Sequence, residues 1–250
     1  RTLYRYIDDG IFLKLTNAHL PVKGKAKKKE KQKPVQKRAS AGVSIEKRPE
    51  EIMTREEFGH WEMDTVKGKR GVTKSCLLVL SERKTRNEIV IKMPDQGAAS
   101  VVASLDMLEE KRGKLFSTVF KSITVDNGVE FSDTVGLERS CLRAEKRTAL
   151  YYCHAYSSWE RGTNENINKL IRRHIPKGVD FDDRTADDIV YIENWINNLP
   201  RKIFNYLCFH STFHKINSSF IGRRLSFFYF FAFFPLVSFY RRNRNGSAFL

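Results

Sequence analysis

The chain has 250 residues, enough to bury a core of its own as one large domain or two small ones. A formal charge of +16 points to a polyanionic partner. Four scattered cysteines, Cys76, Cys141, Cys153 and Cys208, form no CxxC pair and argue against a disulfide framework, and the absence of a GxxxxGK[ST] loop argues against nucleotide hydrolysis.

The excess charge is unevenly placed. Residues 22–38 carry nine Lys/Arg against one Glu, residues 201–250 carry eight and no acid, and residues 39–200 are nearly neutral at about −1. The middle therefore reads as a globular domain with basic flanks suited to phosphate contact, which is strong, salt-dependent and poor in sequence information. In chain order, residues 2–13 predict a short amphipathic helix ending near Gly10. The basic run of 22–38 predicts a linker or arm, either a solvated hinge or a DNA-tracking segment, with Lys27, Lys28 and Lys29 at its centre. FGHWEMDTV (58–66) alternates as a strand, with Trp61 and Met63 on one face and Glu62 and Asp64 on the other. Strands are predicted at 75–80, 87–93 and 122–125, with a short fifth at 150–153. Helices are predicted at 98–111 and 159–174. The order gives an α/β sandwich around a mixed five-stranded sheet.

Beyond Tyr206 the composition changes. Residues 204–250 hold 12 of the 18 phenylalanines, including LSFFYFFAFFPLVSFY, a run short for a bilayer span and interrupted by Pro235. Its role is not legible. Membrane anchoring through 225–240 is a minor alternative.

Three acids stand where chemistry would want them. Asp64 ends the first strand, Asp126 ends the fourth, and Glu165 lies in the helix of SSWERGTNENINKLIRR. Two strand-end carboxylates and a helix carboxylate can hold two divalent cations, and hard ions such as Mg²⁺ require oxygen ligands. On the helix, Ile167, Leu170, Ile171 and His174 form a stripe that should bury, leaving Glu165, Lys169 and Arg172 opposite. Each acid also has an ordinary explanation. Asp126-Asn127-Gly128 is a natural turn, Asp64 competes with Glu62 on its own strand face, and Glu165–Lys169 is a common i,i+4 surface pair.

GHWEMD (59–64), TVDNGVEF (124–131), YYCHAYSSWERGTNENINKLIRRHIPKG (151–178) and NNLPRK (197–202) together resemble the transposases of the insertion-sequence family numbered thirty. TLYRYID (2–8) is similar to the end of that family's N-terminal helix-turn-helix. The resemblance runs in order over roughly residues 1–206. It implies a ribonuclease H-like, retroviral-integrase-like core over 51–206 and a DDE triad of Asp64, Asp126 and Glu165 binding two Mg²⁺ or Mn²⁺ ions. It implies double-stranded DNA as partner, both terminal inverted repeats and target, a homo-oligomer on that DNA, and a cytoplasmic, nucleoid-associated bacterial protein. It further implies DNA contacts from Arg172, Lys169 and Arg161, with Asn127, Gly128, Trp159, Gly162 and Asn164 shaping the site; core packing is an equal reading for Trp159.

Departures from the family pattern accompany this. The 38 residues between Asp126 and Glu165 exceed the usual spacing, an excess assigned to a loop insertion at 138–147. Ala155 and Ser158 stand where prolines are common. The incomplete helix-turn-helix and the Phe-rich tail suggest a truncated or frameshifted copy, so the alternative to an enzyme is a DNA-binding relic that folds without turning over. Cys208, His210 and His214 have metal-like spacing but are weak zinc candidates. Cys153-His154 reads as structural.

Overall fold

The computed structural model describes residues 2–12, 14–20, 42–69, 71–154, 157, 160 and 162–208. Two compact units divide it, Arg1–Lys37 and Arg38–Leu250. In the first, α1 spans Thr2–Asp8, shorter than the predicted helix because Gly10 turns left-handed at φ +70°. Ile7 of that helix is buried, while Tyr4 and Tyr6 stay exposed. The basic run lies outside the described residues.

In the second unit, short α2 (Glu51–Thr54) precedes β1 (His60–Lys67), β2 (Cys76–Glu82) and β3 (Glu88–Met93). Then follow α3 (Ala98–Arg112), α4 (Phe116–Val119), β4 (Ser122–Val125), α5 (Thr134–Glu138) and β5 (Ala149–Tyr152). Helices α6 (Gly162–His174) and α7 (Ala186–Asn197) close the unit. The sheet order is β3-β2-β1-β4-β5. Short turns make β1–β2 and β2–β3 antiparallel, whereas the helical crossovers before β4 and β5 make β1–β4 and β4–β5 parallel. This mixed sheet with helices on both faces is the ribonuclease H-like fold.

Alternation along β1 distributes the core. Trp61 and Met63 join Leu78, Ile123 and the α3 residues Val101 and Leu105 on one face. Trp61 stacks on Phe120 at 4.7 Å and donates its indole N–H to Val119 O at 2.7 Å, so its polar atom is satisfied inside the core. The opposite face buries Val66, Leu77 and Val79 under Ile167 and Ile171 of α6 and Ile189, Ile192 and Ile196 of α7. All seven residues of β2 are buried because both of its faces are covered.

Helix α7 is an element that pattern reading missed. Thr185 caps it reciprocally with Asp188, and its isoleucines recur at helical spacing. It also protects the sheet edge. Glu88 N–H donates to Asn197 Oδ1 at 2.9 Å, Asn197 Nδ2 returns a bond to Glu88 O, and Val90 N–H donates to Glu193 at 2.8 Å. Side chains thus pair the outer backbone groups of β3 and blunt an edge open to intermolecular pairing.

Candidate active site

The β1–β4 register pairs His60 with Ser122, Trp61 with Ile123 and Glu62 with Thr124. Asp64 lies two residues beyond Glu62 in β1, and Asp126 lies two residues beyond Thr124, just past the end of β4. Both carboxylates are half-buried. Asp64 Oδ1 accepts its neighbour's Thr65 N–H at 2.9 Å, and Asp64 Oδ2 accepts from Asn168 Nδ2 at 2.8 Å. Asn168 is on α6, three residues after Glu165 and therefore on the same side of that helix.

Glu62, which competes with Asp64 from sequence alone, has a different fate. It is fully buried and ion-paired to Arg83 at 2.9 Å. It also accepts from Thr163 Oγ1 at 3.3 Å and Asn164 N–H at 3.4 Å, a carboxylate set at the positive end of α6. Glu62 therefore docks the helix, while Asp64, one pleat further on, stays accessible. Neither Asn168 nor the Glu62–Arg83 pair was singled out from sequence. The repeated Asn of NENIN was the available signal.

Glu165 is exposed in the first turn of α6, with its carboxylate 3.0 Å from Lys169 Nζ. Both ends of that pair face solvent, so it is worth only a few tenths of a kcal/mol and opposes little any change of rotamer. The predicted apolar stripe is buried. Ile167 and Ile171 are in the core, Leu170 packs against it, and His174 meets Trp195 edge-on at 4.4 Å. Arg172 departs from the predicted exposed face: its Nη2 donates to Lys67 O at 2.6 Å and its guanidinium lies 5.6 Å above the Phe181 ring. It fastens α6 to the end of β1, and burial lowers its pKa.

The loop after β4 is built tightly. Gly128 N–H donates to Asp126 Oδ1 at 3.0 Å, and Asn127 Nδ2 donates to Cys153 O at 2.7 Å, linking the loop to the exit of β5. A Cβ on Gly128 would sit 2.5 Å from Glu130 Oε2 and 2.9 Å from Asp126 Oδ1, so any larger residue there would push both carboxylates aside. Buried Glu130 accepts from Thr65 Oγ1 at 2.8 Å and Gln96 Nε2 at 2.5 Å, tying this loop to the residue beside Asp64. Gly162 is exposed at the start of α6, and Asn164 is buried with both amide atoms unpartnered. Exposed His154 is held between Glu160 at 2.7 Å and Glu46 at 3.0 Å, and the two carboxylates raise its pKa. Trp159, Arg161, Lys27, Lys28, Lys29, His210 and His214 lie outside the described residues.

Among the described residues, one trio of ligand-bearing side chains has its donor atoms all within 4.8 Å: Asp106, Glu109 and Cys141. Asp64, Asp126 and Glu165 are not drawn that close, Glu165 being turned to Lys169. The tighter trio is already neutralised. Arg147 meets Asp106 at 2.5 Å and Glu109 at 3.5 Å, Arg139 meets Asp106 at 2.8 Å, and Arg143 lies 3.8 Å from Glu109. These contacts fasten the 138–147 stretch to α3. Arg139 and Lys146 form an antiparallel bridge across it, so the expected insertion is folded.

No family model matches the chain. It is 39% identical over 207 residues to a probable transposase for the insertion-like sequence element IS1161 of Streptococcus salivarius, covering 82% of this chain and 56% of that protein. It is 33% identical over 165 residues to the Escherichia coli transposase InsI for insertion sequence element IS30A, covering 66% of this chain and 40% of that one. The chain is a homologue of the insertion-sequence transposases. A putative integrase of Spiroplasma virus SpV1-R8A2 B is 32% identical to this transposase homologue over 149 residues, 60% of this chain and 44% of the viral one. The chain spans about half the length of the curated relatives it matches. No helix among its described residues is long and apolar enough to cross a membrane, and the run at 225–240 lies outside them.

Proposed function

We propose that this chain is the catalytic portion of a DNA transposase that cuts and rejoins strands at insertion-sequence ends, with Asp64, Asp126 and Glu165 as its metal-binding carboxylates. The observation that supports the reading is the parallel β1–β4 pairing, which ends two residues before Asp64 and Asp126 on the two segments, joined to the Asn168–Asp64 bond from the helix bearing Glu165. An all-oxygen donor set on half-buried and exposed carboxylates suits a hard divalent cation such as Mg²⁺ or Mn²⁺. When bound, two such ions supply Lewis-acid stabilisation to the attacking and leaving oxygens of an in-line displacement at phosphorus.

The reaction has two balanced displacements. Water attacks a phosphodiester at the element's end, forming one P–O bond as the bond to the 3′ oxygen breaks. The freed 3′-OH then attacks a target phosphodiester, and the P–O bond to the target's own 3′ oxygen breaks in turn. In this scheme Asn168 holds Asp64 in one rotamer, Gly128 N–H holds Asp126, and Glu62 fixes the start of α6 so that Glu165 overhangs the strand ends. Exposed Lys169 supplies positive charge beside the scissile strand. Arg161 and the basic run with Lys27, Lys28 and Lys29 add backbone contacts, which position DNA without reading its sequence, whereas Arg172 fastens α6 to the end of β1. Asn127, Trp159, Gly162 and Asn164 shape the approach. Double-stranded inverted-repeat and target DNA are the partners, taken up by a homo-oligomer that pairs two ends.

A second reading is a DNA-binding relic without turnover. The observation favouring it is the Glu165–Lys169 pair, which leaves the three acids short of a common 4.8 Å centre. Incubating the full chain with duplex carrying the element's terminal repeat and Mg²⁺ or Mn²⁺ separates the two. The transposase reading expects 3′-end cleavage and strand transfer, lowered about 10³-fold or more by Asp64→Asn, Asp126→Asn or Glu165→Gln. DNA binding without cleavage by the unaltered chain makes it the relic.

A further inference from the structure

Residues 42–48, which lead into the sheet, are fastened along the outer edge of β5. Tyr152 N–H donates to Val43 O at 2.8 Å, and Ser44 pairs with Tyr152 in a parallel bridge. Gly42 lies so close to the Tyr152 ring that a Cβ there would meet it at 2.7 Å. At the other end of the segment, buried Arg48 donates to Thr124 Oγ1 of β4 at 3.0 Å. Between these anchors a single turn, Ile45–Lys47, presents Glu46 to His154 Nε2 at 3.0 Å.

His154 also faces the other way. Its Nδ1 lies 2.7 Å from Glu160 Oε1, and its backbone N–H donates to Glu160 Oε2 at 2.9 Å, so both oxygens of that carboxylate are engaged. Glu160 N–H donates to Ser157 O and Ser157 N–H to His154 O, which closes the turn leading to α6. Helix α6 begins two residues later at Gly162 and bears Glu165. Its start is thus held from two sides, by Glu62 from β1 and by His154 from the end of β5.

Carboxylates accept and do not donate, so a ring bonded to two of them needs hydrogen on both nitrogens. Only the imidazolium meets that need; the neutral ring keeps one N–H and must release one carboxylate. Glu160 is the better held, through the additional backbone bond, so Glu46 is the one released. The charged groups facing the ring are Glu160 and Glu46, with Arg48 behind them within electrostatic reach of Glu160. The two carboxylates raise the His154 pKa, Glu160 more than Glu46.

We propose that His154 is a positioning residue for Glu165, a doubly protonated clamp that ties Glu46 of the entry segment to Glu160 at the approach to α6. The assignment rests on the transposase reading and deepens it, for it makes the placement of the third acid depend on the entry segment staying on the edge of β5. The pairing raises the folded pKa above the unfolded one. The clamp is therefore complete below about pH 6.5 and is lost as pH rises through the folded value.

Amide hydrogen exchange followed by NMR on the full chain, without DNA or metal, reads the clamp directly. The amides of Asn166, Ile167 and Asn168 close the first turn of α6, and protection factors divide out the intrinsic effect of pH. In the unaltered chain protection is expected to fall several-fold as pH rises through the His154 titration, and in His154→Ala to be that low at acidic pH already. Glu46→Gln is the sharper variant. A Gln amide accepts from the imidazolium and donates to the neutral Nε2, so protection should stay high and lose its pH dependence. Protection in His154→Ala equal to that of the unaltered chain at acidic pH overturns the clamp, as does a Glu46→Gln profile that falls like the unaltered one. Glu46→Gln, changed at an exposed site, decides alone if His154→Ala fails to fold. Mn²⁺-dependent cleavage of terminal-repeat duplex ties the clamp to the reaction: the rate of Glu46→Gln relative to the unaltered chain is expected to rise several-fold over the same pH range. A constant ratio overturns the positioning role. Absence of cleavage by the unaltered chain, beside the expected exchange result, overturns the transposase reading instead and leaves the clamp intact.

Discussion

Asp106 and Glu109 stand with Cys141 in the tighter of two acidic groups, and three arginines occupy them. Asp64 and Asp126 belong to the looser group, held by an asparagine amide and backbone N–H groups. Proximity of carboxylates alone would have chosen the first group as the metal centre. What decides is the counter-charge. Carboxylates locked against a buried arginine act as architecture, which sets Asp106 and Glu109 apart from Asp64 and Asp126. The same contrast recurs within β1, where Glu62 is fully buried against Arg83 and Asp64 is half-buried.

The largest expected difference is in stability. Arg147→Ala removes the buried arginine that joins Asp106 to Glu109, and Glu62→Ala leaves Arg83 buried without its ion pair, and each should cost about 3–5 kcal/mol in denaturant unfolding. Asp64→Asn and Asp126→Asn should each stay within about 1 kcal/mol of the parent, and a collapse of either would place it with the architectural acids. Next comes Glu193, a carboxyl raised to about 7 by burial and held by the Val90 N–H. Its folded pKa exceeds the unfolded value, so the folded state binds more protons. Stability should therefore fall as pH rises from about 4.5 to 7 and level off above, by up to ~3 kcal/mol. Unfolding curves of Glu193→Gln should lack that decline, and an unchanged pH profile would contradict the assignment. The smallest effect belongs to Asn168→Ala. Losing one partly buried hydrogen bond to Asp64 should cost about 1 kcal/mol of stability and weaken Mn²⁺ binding followed by thermal shift. Undiminished Mn²⁺ binding would remove Asn168 as a positioning residue.

Much of this was legible in the chain. Alternation gave β1, because one-sided burial writes period two directly into Trp61, Met63 and their neighbours, while a continuous apolar run gave β2, and β4 was placed at its observed bounds. The apolar stripe of α6 was equally plain. Helix α7 was overlooked although Thr185, Asp188 and the isoleucines at 189, 192 and 196 spell a capped amphipathic helix. The choice between Glu62 and Asp64 was not legible, since it depends on Arg83 arriving from another strand. Nor was the inward turn of Arg172, which is drawn by Lys67 O and Phe181. The Arg147 network joins residues 38 and 41 positions apart and leaves no local pattern.

The central claim concerns where a divalent ion binds, and anomalous diffraction from crystals soaked in Mn²⁺ addresses it directly. A peak about 2.0–2.3 Å from carboxylate oxygens of both Asp64 and Asp126, with Glu165 turned from Lys169 toward it, is the predicted result. A peak at Asp106, Glu109 and Cys141, with none between Asp64 and Asp126, would contradict it.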